Sequence, residues 1–229
     1  MQPYIFPYIG YFQLVNAVDK FVFYDDVNFI KQGWINRNRI LVNGQPHLFS
    51  IPVKGISSFK LINEVQIDQN VFALWKNKFY KTFDAAYKKA PYYAEVRTLA
   101  MAVTDTPAIS IADMASKSIL VVAEYLDIKT IFVSSSAMYQ NTHLKAQDRV
   151  IDICLREKAS EYINVIGGKE LYSKDDFLNR GITLRFIAPQ SIAYKQFSEP
   201  HIQYLSIMDV LMFNPKEKIK HFLNCYELV

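Results

Sequence analysis

The chain has little cysteine, little excess charge and no long apolar segment, and each shortage narrows the class of protein. Its two cysteines, Cys154 and Cys225, lie far apart, without metal-ligand spacing and without a secretory leader ahead of them. We therefore expect reduced thiols and a cytoplasmic location. No apolar run reaches the roughly 20 residues that span a bilayer, so we expect no membrane insertion.

The charge and the aromatic content also limit the partners. The formal net charge is only +4, and acidic residues are mixed with basic ones, so the basic stripe of a dedicated nucleic-acid binder is missing. In contrast, 16 Phe, 15 Tyr and 2 Trp are present. Many of these rings fill a core, and tyrosine at this frequency also suits a pocket that stacks on sugars or bases.

A length of 229 residues suits a single domain, residues 1–229, with enough chain to bury a substantial core. Met1 is followed at once by turn-like, proline-rich sequence with no strand leading into it. We therefore expect that a few residues precede Met1 in the natural chain.

The order of the predicted elements indicates the fold class. In the second half, strands alternate with helices, which is typical of right-handed crossovers and a parallel sheet. The first half predicts a hairpin around Asn43-Gly44, a dipeptide that favours a type I′ turn, and a helix whose Ser110 and Asp113 form a capping box. We predict a three-layer, Rossmann-like α/β fold with a parallel sheet, in which a hairpin and helices from about 35 to 126 form an insertion. Predicted helices are 11–20, 71–89, 92–102, 109–126, 144–158, 175–179, 206–213 and 215–224, and predicted strands are 21–24, 35–42, 47–53, 63–68, 131–133, 162–166 and 182–187.

Polar residues alternate along one predicted strand that follows Lys31 and Trp34. Asn36 and Asn38 should face one side, and Arg37 and Arg39 the other. Two guanidinium groups at this spacing suit a diphosphate held by charge-assisted forks, and the amides suit sugar hydroxyls or a base edge. A solvated edge strand with ordinary surface ion pairs would show the same pattern.

The segment from Pro7 to Tyr11 has a distant similarity to the His-x-Gly-His phosphate loop of nucleotidylyltransferases. Tyr8 and Tyr11 stand at the histidine positions and Gly10 at the first turn of a helix, where backbone amides favour an anion. Neutral tyrosines cannot supply imidazolium charge to a leaving diphosphate. A Pro/Gly turn with packed aromatic rings is the alternative.

The titratable residues allow several roles. Asp25 and Asp26 end a predicted strand, where ligands bind in open α/β sheets, so they could act as a base, bind Mg²⁺ or accept hydrogen bonds. Pairing with Lys31 or Arg39 is the alternative. His143 is the best-placed histidine for proton transfer.

Further substrate-binding candidates are polar or glycine residues next to predicted strands and helices. Asp148 and Arg149 begin a helix after His143, and Asn164, Gly167 and Gly168 follow a strand. Adjacent glycines allow a ligand to approach the backbone, although a tight turn alone explains them equally well. Residues 134–136 are three serines that we interpret as a turn and helix cap.

Three strings carry a resemblance to a known family: QPYIFPYIGYFQLVNAVDKFVFYDDVNFIKQGWINRNRIL at 2–41, YINVIGGKELY at 162–172 and LSIMDVLMFN at 205–214. They strongly resemble the WbqC-like family, whose members occur among genes for O-antigen and other surface polysaccharides, including lipopolysaccharide. The resemblance implies an enzyme that transfers glycine or a similar aminoacyl or acyl group onto the amine of a nucleotide-linked 4-amino-4,6-dideoxy sugar.

The resemblance leaves the donor open between a thioester on an acyl carrier protein and an adenylate made from ATP and Mg²⁺. Asp25, Asp26 or His143 would take the amine proton, and the arginine–asparagine strand would hold the nucleotide sugar. A nucleotidyltransferase, an adenylate-forming ligase and a non-catalytic sugar-nucleotide binder are the alternatives, and the sequence leaves the oligomeric state open. Each catalytic reading requires the guanidinium and carboxylate groups of the amino-terminal third to converge on one cleft.

Overall fold

A computed structural model describes residues 1–197 and 199–229, which form a mixed α/β fold of helices and small sheets. The helices of these residues are α1 (Ile9–Asn16), α2 (Gln69–Tyr87), α3 (Tyr93–Thr104), α4 (Ile111–Tyr125), α5 (Ala146–Arg156), α6 (Lys174–Leu178), α7 (Ile207–Phe213) and α8 (Lys216–Phe222). The strands are β1 (Lys20–Val22), β2 (Arg37–Val42), β3 (Gln45–Ser50), β4 (Val53–Lys54), β5 (Gln66–Ile67), β6 (Ile131–Val133), β7 (Glu161–Val165), β8 (Thr183–Pro189) and β9 (Tyr226–Leu228).

The parallel strands belong to two separate small sheets. β1 pairs with β6, and β7 pairs with β8, both in parallel. The predicted parallel pairing is therefore confirmed, whereas the three-layer Rossmann-like arrangement and the insertion limits stay predictions. The sequence predicted no strand at β9, which pairs antiparallel with β8, because three residues directly after a helix are too few to show a periodic pattern.

Local signals gave the most accurate predictions. β2 and β3 form the predicted hairpin, with φ of +50° at Asn43 and +73° at Gly44, as a type I′ turn requires. The capping box of α4 is also present. The Ser110 hydroxyl accepts from the Asp113 amide at 3.1 Å, and the Asp113 carboxylate accepts from the Ser110 amide at 3.0 Å.

The buried side chains form two separate hydrophobic clusters. The larger one contains residues of α1, the β2–β3 hairpin and the long helices, including Phe79, Phe83 and Tyr87 along one face of α2. The smaller one lies between α5 and the sheet formed by β7, β8 and β9. Its members are Val150, Ile151, Cys154, Phe177, Ile182, Leu184 and Phe186. In the part of the chain that the structure describes, no helix has the length and apolar character needed to cross a bilayer.

A buried carboxylate connects α7 to α2 and the hairpin. Asp209 is fully buried and accepts hydrogen bonds from the Tyr87 hydroxyl at 2.7 Å, the Tyr194 hydroxyl at 2.6 Å and the Gln196 amide at 2.7 Å. The Tyr87 oxygen also accepts from the Leu41 amide at 2.7 Å. Burial raises the pKa of Asp209, because three neutral donors only partly offset the loss of water.

We expect Tyr87→Phe to lower the free energy of unfolding by about 1–3 kcal/mol, because the Leu41 amide and one Asp209 oxygen lose a buried partner. Urea unfolding of both proteins measures the difference. Tyr125→Phe is the matched control, since its hydroxyl bonds Glu95 at the surface, and it should change stability by less than about 0.5 kcal/mol. Equal losses in the two variants would contradict a stabilising role for this network.

Candidate functional site

Polar residues meet where β1 and β6 end. β1 continues into Tyr24, Asp25 and Asp26, and β6 continues into the serine run at 134–136. Because β1 and β6 are parallel neighbours, their carboxyl ends lie at the same edge of the sheet. This edge is where open α/β sheets bind ligands.

Asp25 is a buried carboxylate with few charged neighbours. Only 5% of the residue is exposed, and one carboxylate oxygen accepts from the Ser135 hydroxyl at 2.7 Å and the Ser136 amide at 3.2 Å. Burial raises the pKa of Asp25 above its ordinary value of 3.8, and the two hydrogen bonds oppose this effect. Asp25 is thus a stronger proton acceptor than a solvated aspartate.

Asp25 lines a pocket of about 270 Å³ between the strand ends and α4. Asp113, Ser116 and Lys117 of α4 also line this pocket, as does Ser134. Lys117 is half-buried and forms no salt bridge within the described residues. A carboxylate and an ammonium group therefore border one small space, which suits a polar ligand with an ionisable group.

Asp26 is held by Arg149 from α5. One guanidinium nitrogen of Arg149 donates to the Asp26 carboxylate at 2.5 Å, and another donates to the Asp26 carbonyl at 3.2 Å. The Nε of Arg149 donates to Asn141 at 2.8 Å, and its guanidinium lies 4.9 Å from the Tyr24 ring centre. Arg149 is therefore the ion-pair partner of Asp26, in place of the Lys31 or Arg39 considered from sequence.

The loop after β7 lines a second, larger cavity together with Tyr24, and it does not line the pocket at Asp25. Asn164 is buried, and its side-chain Oδ1 accepts a hydrogen bond from the Val165 amide at 2.8 Å. A Cβ on Gly168 would lie 3.0 Å from the Asn164 amide nitrogen, so the loop packs tightly there. A Cβ on Gly167 would have nothing within 4 Å. The backbone at Gly167 is thus exposed to solvent, whereas Gly168 is needed because a larger residue would crowd Asn164.

In a second group of residues, two guanidinium groups lie against one indole ring. The Arg37 and Arg39 guanidinium carbons lie 5.8 and 5.1 Å from the centre of the Trp34 ring, and Trp34 is 46% exposed. Arg37 donates to the Gly33 carbonyl at 2.7 Å, and Arg39 donates to the Tyr204 carbonyl at 3.2 Å. Both keep further donors, so this surface can hold an anion beside an aromatic face.

Asn36, just before β2, and Asn38, within it, donate hydrogen bonds to backbone carbonyls of neighbouring segments. The amide of Asn38 is buried and donates to the carbonyls of Ile5 and Phe6 at 3.0 and 2.6 Å. Asn36 donates to the Ile51 carbonyl at 2.9 Å. The predicted division of amides and guanidinium groups between opposite faces is present, and the amide face carries structural hydrogen bonds.

The turn before α1 is filled by aromatic rings. A Cβ on Gly10 would lie 2.4 Å from the ring of Tyr8, so this ring covers the glycine. Tyr11 is buried and donates to the Gln2 carbonyl at 3.0 Å. The side chain of Tyr8 occupies the space next to the helix start, where a phosphate would approach the His-x-Gly-His loop.

The remaining predicted residues lie at the surface. Lys31, His143 and Asp148 are exposed, with His143 in the loop before α5 and Asp148 in the first turn of that helix. In the described chain, no hydrogen bond or ion pair joins the Asp25–Asp26–Arg149 group to the Trp34–Arg37–Arg39 group. Segment 1–6 connects them through its backbone, since Met1 bonds the Tyr24 amide at 2.9 Å and Asn38 bonds residues 5 and 6.

Sequence reasoning missed several members of the site. Ser135 caps a short 3₁₀ helix, as the turn-and-cap interpretation predicts, but Ser135 and Ser136 also donate to the two aspartates. A serine run after the strand beside β1 was the available signal. Asn141 and Lys117 gave no such signal, because their roles depend on contacts with residues distant in sequence. Among the described residues, no group of three or more His, Cys, Asp or Glu is arranged to hold a metal ion.

Comparison with known proteins identifies the family. The model of the WbqC-like protein family matches residues 2–221, so the chain belongs to this family. The usual association of the family is with O-antigen biosynthesis. The chain is also similar to the uncharacterized protein Rv1507c of Mycobacterium tuberculosis (strain ATCC 25618 / H37Rv), with 26% identity over 211 residues that cover 91% of this chain and 89% of the relative. No solved structure matches the chain.

We expect Arg149→Met to lower the free energy of unfolding by about 3–5 kcal/mol, because it leaves Asp26 buried without a cation. The double variant Asp26→Asn/Arg149→Met should recover part of this loss. Arg185→Met is the matched control, because its pair with Glu161 is largely exposed and should contribute about 0–1 kcal/mol. Denaturant unfolding compares the four proteins, and a loss at Arg149 no larger than at Arg185 would refute the importance of the buried pair.

Proposed function

We propose that the protein transfers a glycyl, other aminoacyl, or acyl group onto the amine of a nucleotide-linked 4-amino-4,6-dideoxy sugar in surface-polysaccharide biosynthesis. The family association supports the pathway. The observation that carries the chemistry is Asp25, a buried carboxylate of raised pKa that lines a small pocket at the end of two parallel strands.

The reaction requires a base at the nucleophile. The sugar amine attacks the donor carbonyl, the new C–N bond forms, and the bond from the carbonyl carbon to the thiol or adenylate leaving group breaks. The amine must lose a proton, and Asp25 accepts it more readily than an ordinary aspartate because its pKa is raised. Ser135 and Ser136 orient the carboxylate through their hydrogen bonds.

Lys117 and Asp26 have supporting roles in this proposal. Lys117 lines the same pocket as Asp25 and can stabilise negative charge that develops on the attacked carbonyl oxygen. Asp26 is occupied by Arg149 and therefore acts as an anchor rather than a base. The donor is a carrier-bound thioester or an adenylate formed from ATP and Mg²⁺.

The nucleotide part of the substrate is assigned to the surface formed by Trp34, Arg37 and Arg39. The two guanidinium groups offer donors to a diphosphate, and the exposed indole offers a face to a base or sugar. None of Trp34, Arg37 and Arg39 lines the pocket at Asp25, so nucleotide binding and proton transfer are assigned to two surfaces and not to the single cleft expected from the sequence.

The direct test incubates the protein with a dTDP-linked 4-amino-4,6-dideoxyhexose and either glycine with ATP and Mg²⁺ or an acyl thioester on a carrier protein. A mass gain on the sugar equal to the acyl group is the expected result. No product with any donor, from protein shown to be folded, would contradict the proposal. Thermal stabilisation by the nucleotide sugar without turnover would instead indicate a binding protein.

We expect Asp25→Asn to lower the transfer rate by about two to four orders of magnitude, because the amide cannot accept the proton. In the wild type, the rate should fall as the pH drops through the raised pKa of Asp25, above 3.8, since protonation removes the base. Product formation measured by mass spectrometry across the pH range checks both statements. The exposed Asp175→Asn is the matched control and should keep full activity.

We expect Arg37→Gln and Arg39→Gln each to raise the KM for the nucleotide sugar by roughly ten- to a hundredfold, with a smaller change in kcat, because a charge-assisted hydrogen bond to phosphate is lost. Steady-state kinetics separates the two constants. Arg180→Gln, at an exposed arginine, should leave both unchanged. A fall in kcat at constant KM would place the arginines in the chemical step and overturn this assignment.

A further inference from the structure

Residues 27–63 contain no aspartate or glutamate, although the whole chain has 22 of them in 229 residues, so that a segment of this length would hold about three or four. The same segment carries five basic residues, namely Lys31, Arg37, Arg39, Lys54 and Lys60. Its formal charge of +5 therefore exceeds the +4 of the entire chain. The mild overall charge of the protein conceals one strongly basic segment.

Two turns of this segment lie side by side. In the first turn, the Gly33 amide donates to the Ile30 carbonyl at 2.9 Å, and in the second, the Lys60 amide donates to the Ser57 carbonyl at 3.3 Å. The Phe29 amide donates to the Lys60 carbonyl at 2.8 Å, which joins one turn to the other. Side chains of both turns therefore reach solvent near one another.

Large apolar side chains are exposed on these turns. Ile30 is 54% exposed, Ile56 is 45% exposed and Phe59 is 89% exposed, the highest value for a large hydrophobic residue in the described part of the chain. The Phe59 amide donates to the Ser57 hydroxyl at 3.2 Å, so the backbone at this ring has a defined conformation. The loop thus holds the Phe59 ring away from the hydrophobic core.

Lys31, Lys54 and Lys60 flank these apolar side chains in the sequence. A Cβ on Gly55 would lie 2.8 Å from the Lys60 ammonium, so this charge lies over the same loop that carries Phe59. Within the described residues, none of the three lysines forms a salt bridge. Glu64 is the first acid after the segment, and its carboxylate accepts a backbone amide at 2.9 Å. The three ammonium groups are therefore available to an external anion.

We propose that the two turns form a membrane-contact surface that binds the headgroup region of an anionic bilayer. This surface consists of Ile30, Lys31, Lys54, Ile56, Phe59 and Lys60. The lysines pair with headgroup phosphates, and the apolar side chains enter the boundary between headgroups and acyl chains. The contact is peripheral and requires no segment that crosses the bilayer. The inference does not depend on the proposed activity.

The combination of exposed apolar side chains and lysines favours a bilayer over other anionic partners. A nucleic acid presents its phosphates without an apolar layer beneath them, so Ile30 and Ile56 would gain little from that contact. A partner protein usually docks its apolar side chains into a groove, but none of the six residues lines either cavity described above. A bilayer places phosphates directly above acyl chains and accepts side chains that protrude singly.

The number of groups suits reversible binding. Each lysine close to an anionic surface strengthens binding by about fivefold. This contribution weakens with salt, because exposed charges are screened beyond the Debye length. Entry of an aromatic side chain into the apolar layer adds roughly tenfold. We therefore expect binding to require the lysines and the apolar side chains together.

Vesicle co-sedimentation tests the proposal with pure phosphatidylcholine and with phosphatidylcholine that contains about 40 mol% phosphatidylglycerol. We expect binding to the anionic vesicles only, weakened by roughly tenfold or more when NaCl rises from about 0.1 to 0.5 M. Lys31→Gln/Lys54→Gln/Lys60→Gln should lower the partition coefficient by roughly a hundredfold. Ile56→Ser/Phe59→Ser should lower it by roughly tenfold.

The matched control is Lys174→Gln/Leu178→Ser on α6. Both of these residues are also exposed, but they share their helix with Asp175 and Asp176, so the control should leave vesicle binding unchanged. Thermal unfolding checks that each variant is folded, which we expect because every substituted side chain lies at the surface.

Phe59→Trp provides a test of depth. Tryptophan favours the membrane interface, so this variant should bind at least as well as the wild type, and lipids brominated on their acyl chains should quench its added fluorescence. Folded wild-type protein that fails to bind anionic vesicles would overturn the proposal and leave the surface to another partner, such as an acidic protein. Undiminished binding by Ile56→Ser/Phe59→Ser would also overturn it, because charge alone would then hold the protein at the vesicle.

Discussion

The buried ion pair between Asp26 and Arg149 is the constraint on which the candidate site depends. Asp26 follows β1 and belongs to the half with the larger hydrophobic cluster, while Arg149 lies on α5, whose neighbours Val150 and Cys154 belong to the smaller one. Because the apolar clusters are separate, this charged contact fixes α5 against the end of β1. It also holds Asn141 and the face of Tyr24 in place.

The buried carboxylates of Asp25 and Asp26 are adjacent in sequence but have different partners and therefore different roles. Asp26 has a guanidinium partner and stays an anchor, whereas Asp25, one residue earlier, has only hydroxyl and amide donors and acquires a raised pKa. Asp209 shows the same physics in a structural role, because three neutral donors surround it and none of its hydrogen bonds comes from a cation. The two residues differ in whether a ligand can reach the carboxylate. Asp25 lines a pocket, whereas Asp209 is fully buried.

Sequence patterns predicted one turn and one helix cap correctly, because the determining contacts there are local, whereas part of the strand predicted at 63–68 is a 3₁₀ helix at Ile62–Glu64. The turn at Asn43-Gly44 and the capping box at Ser110 depend on residues within a few positions, and both are present. The partner of Asp26 lies 123 residues away, so the pattern around it could not select Arg149 over Lys31. Element order predicted the parallel pairing, but it does not determine whether the parallel pairs join into one continuous sheet.

Cys154 illustrates how the apolar environment of α5 affects reactivity. Its thiol is buried beside the space between the sheets, and burial raises its pKa to about 12, so almost no thiolate exists at neutral pH. Cys225 is partly exposed. An alkylating reagent would therefore label Cys225 first, and the rate at which Cys154 becomes labelled would report how often α5 separates from the sheets.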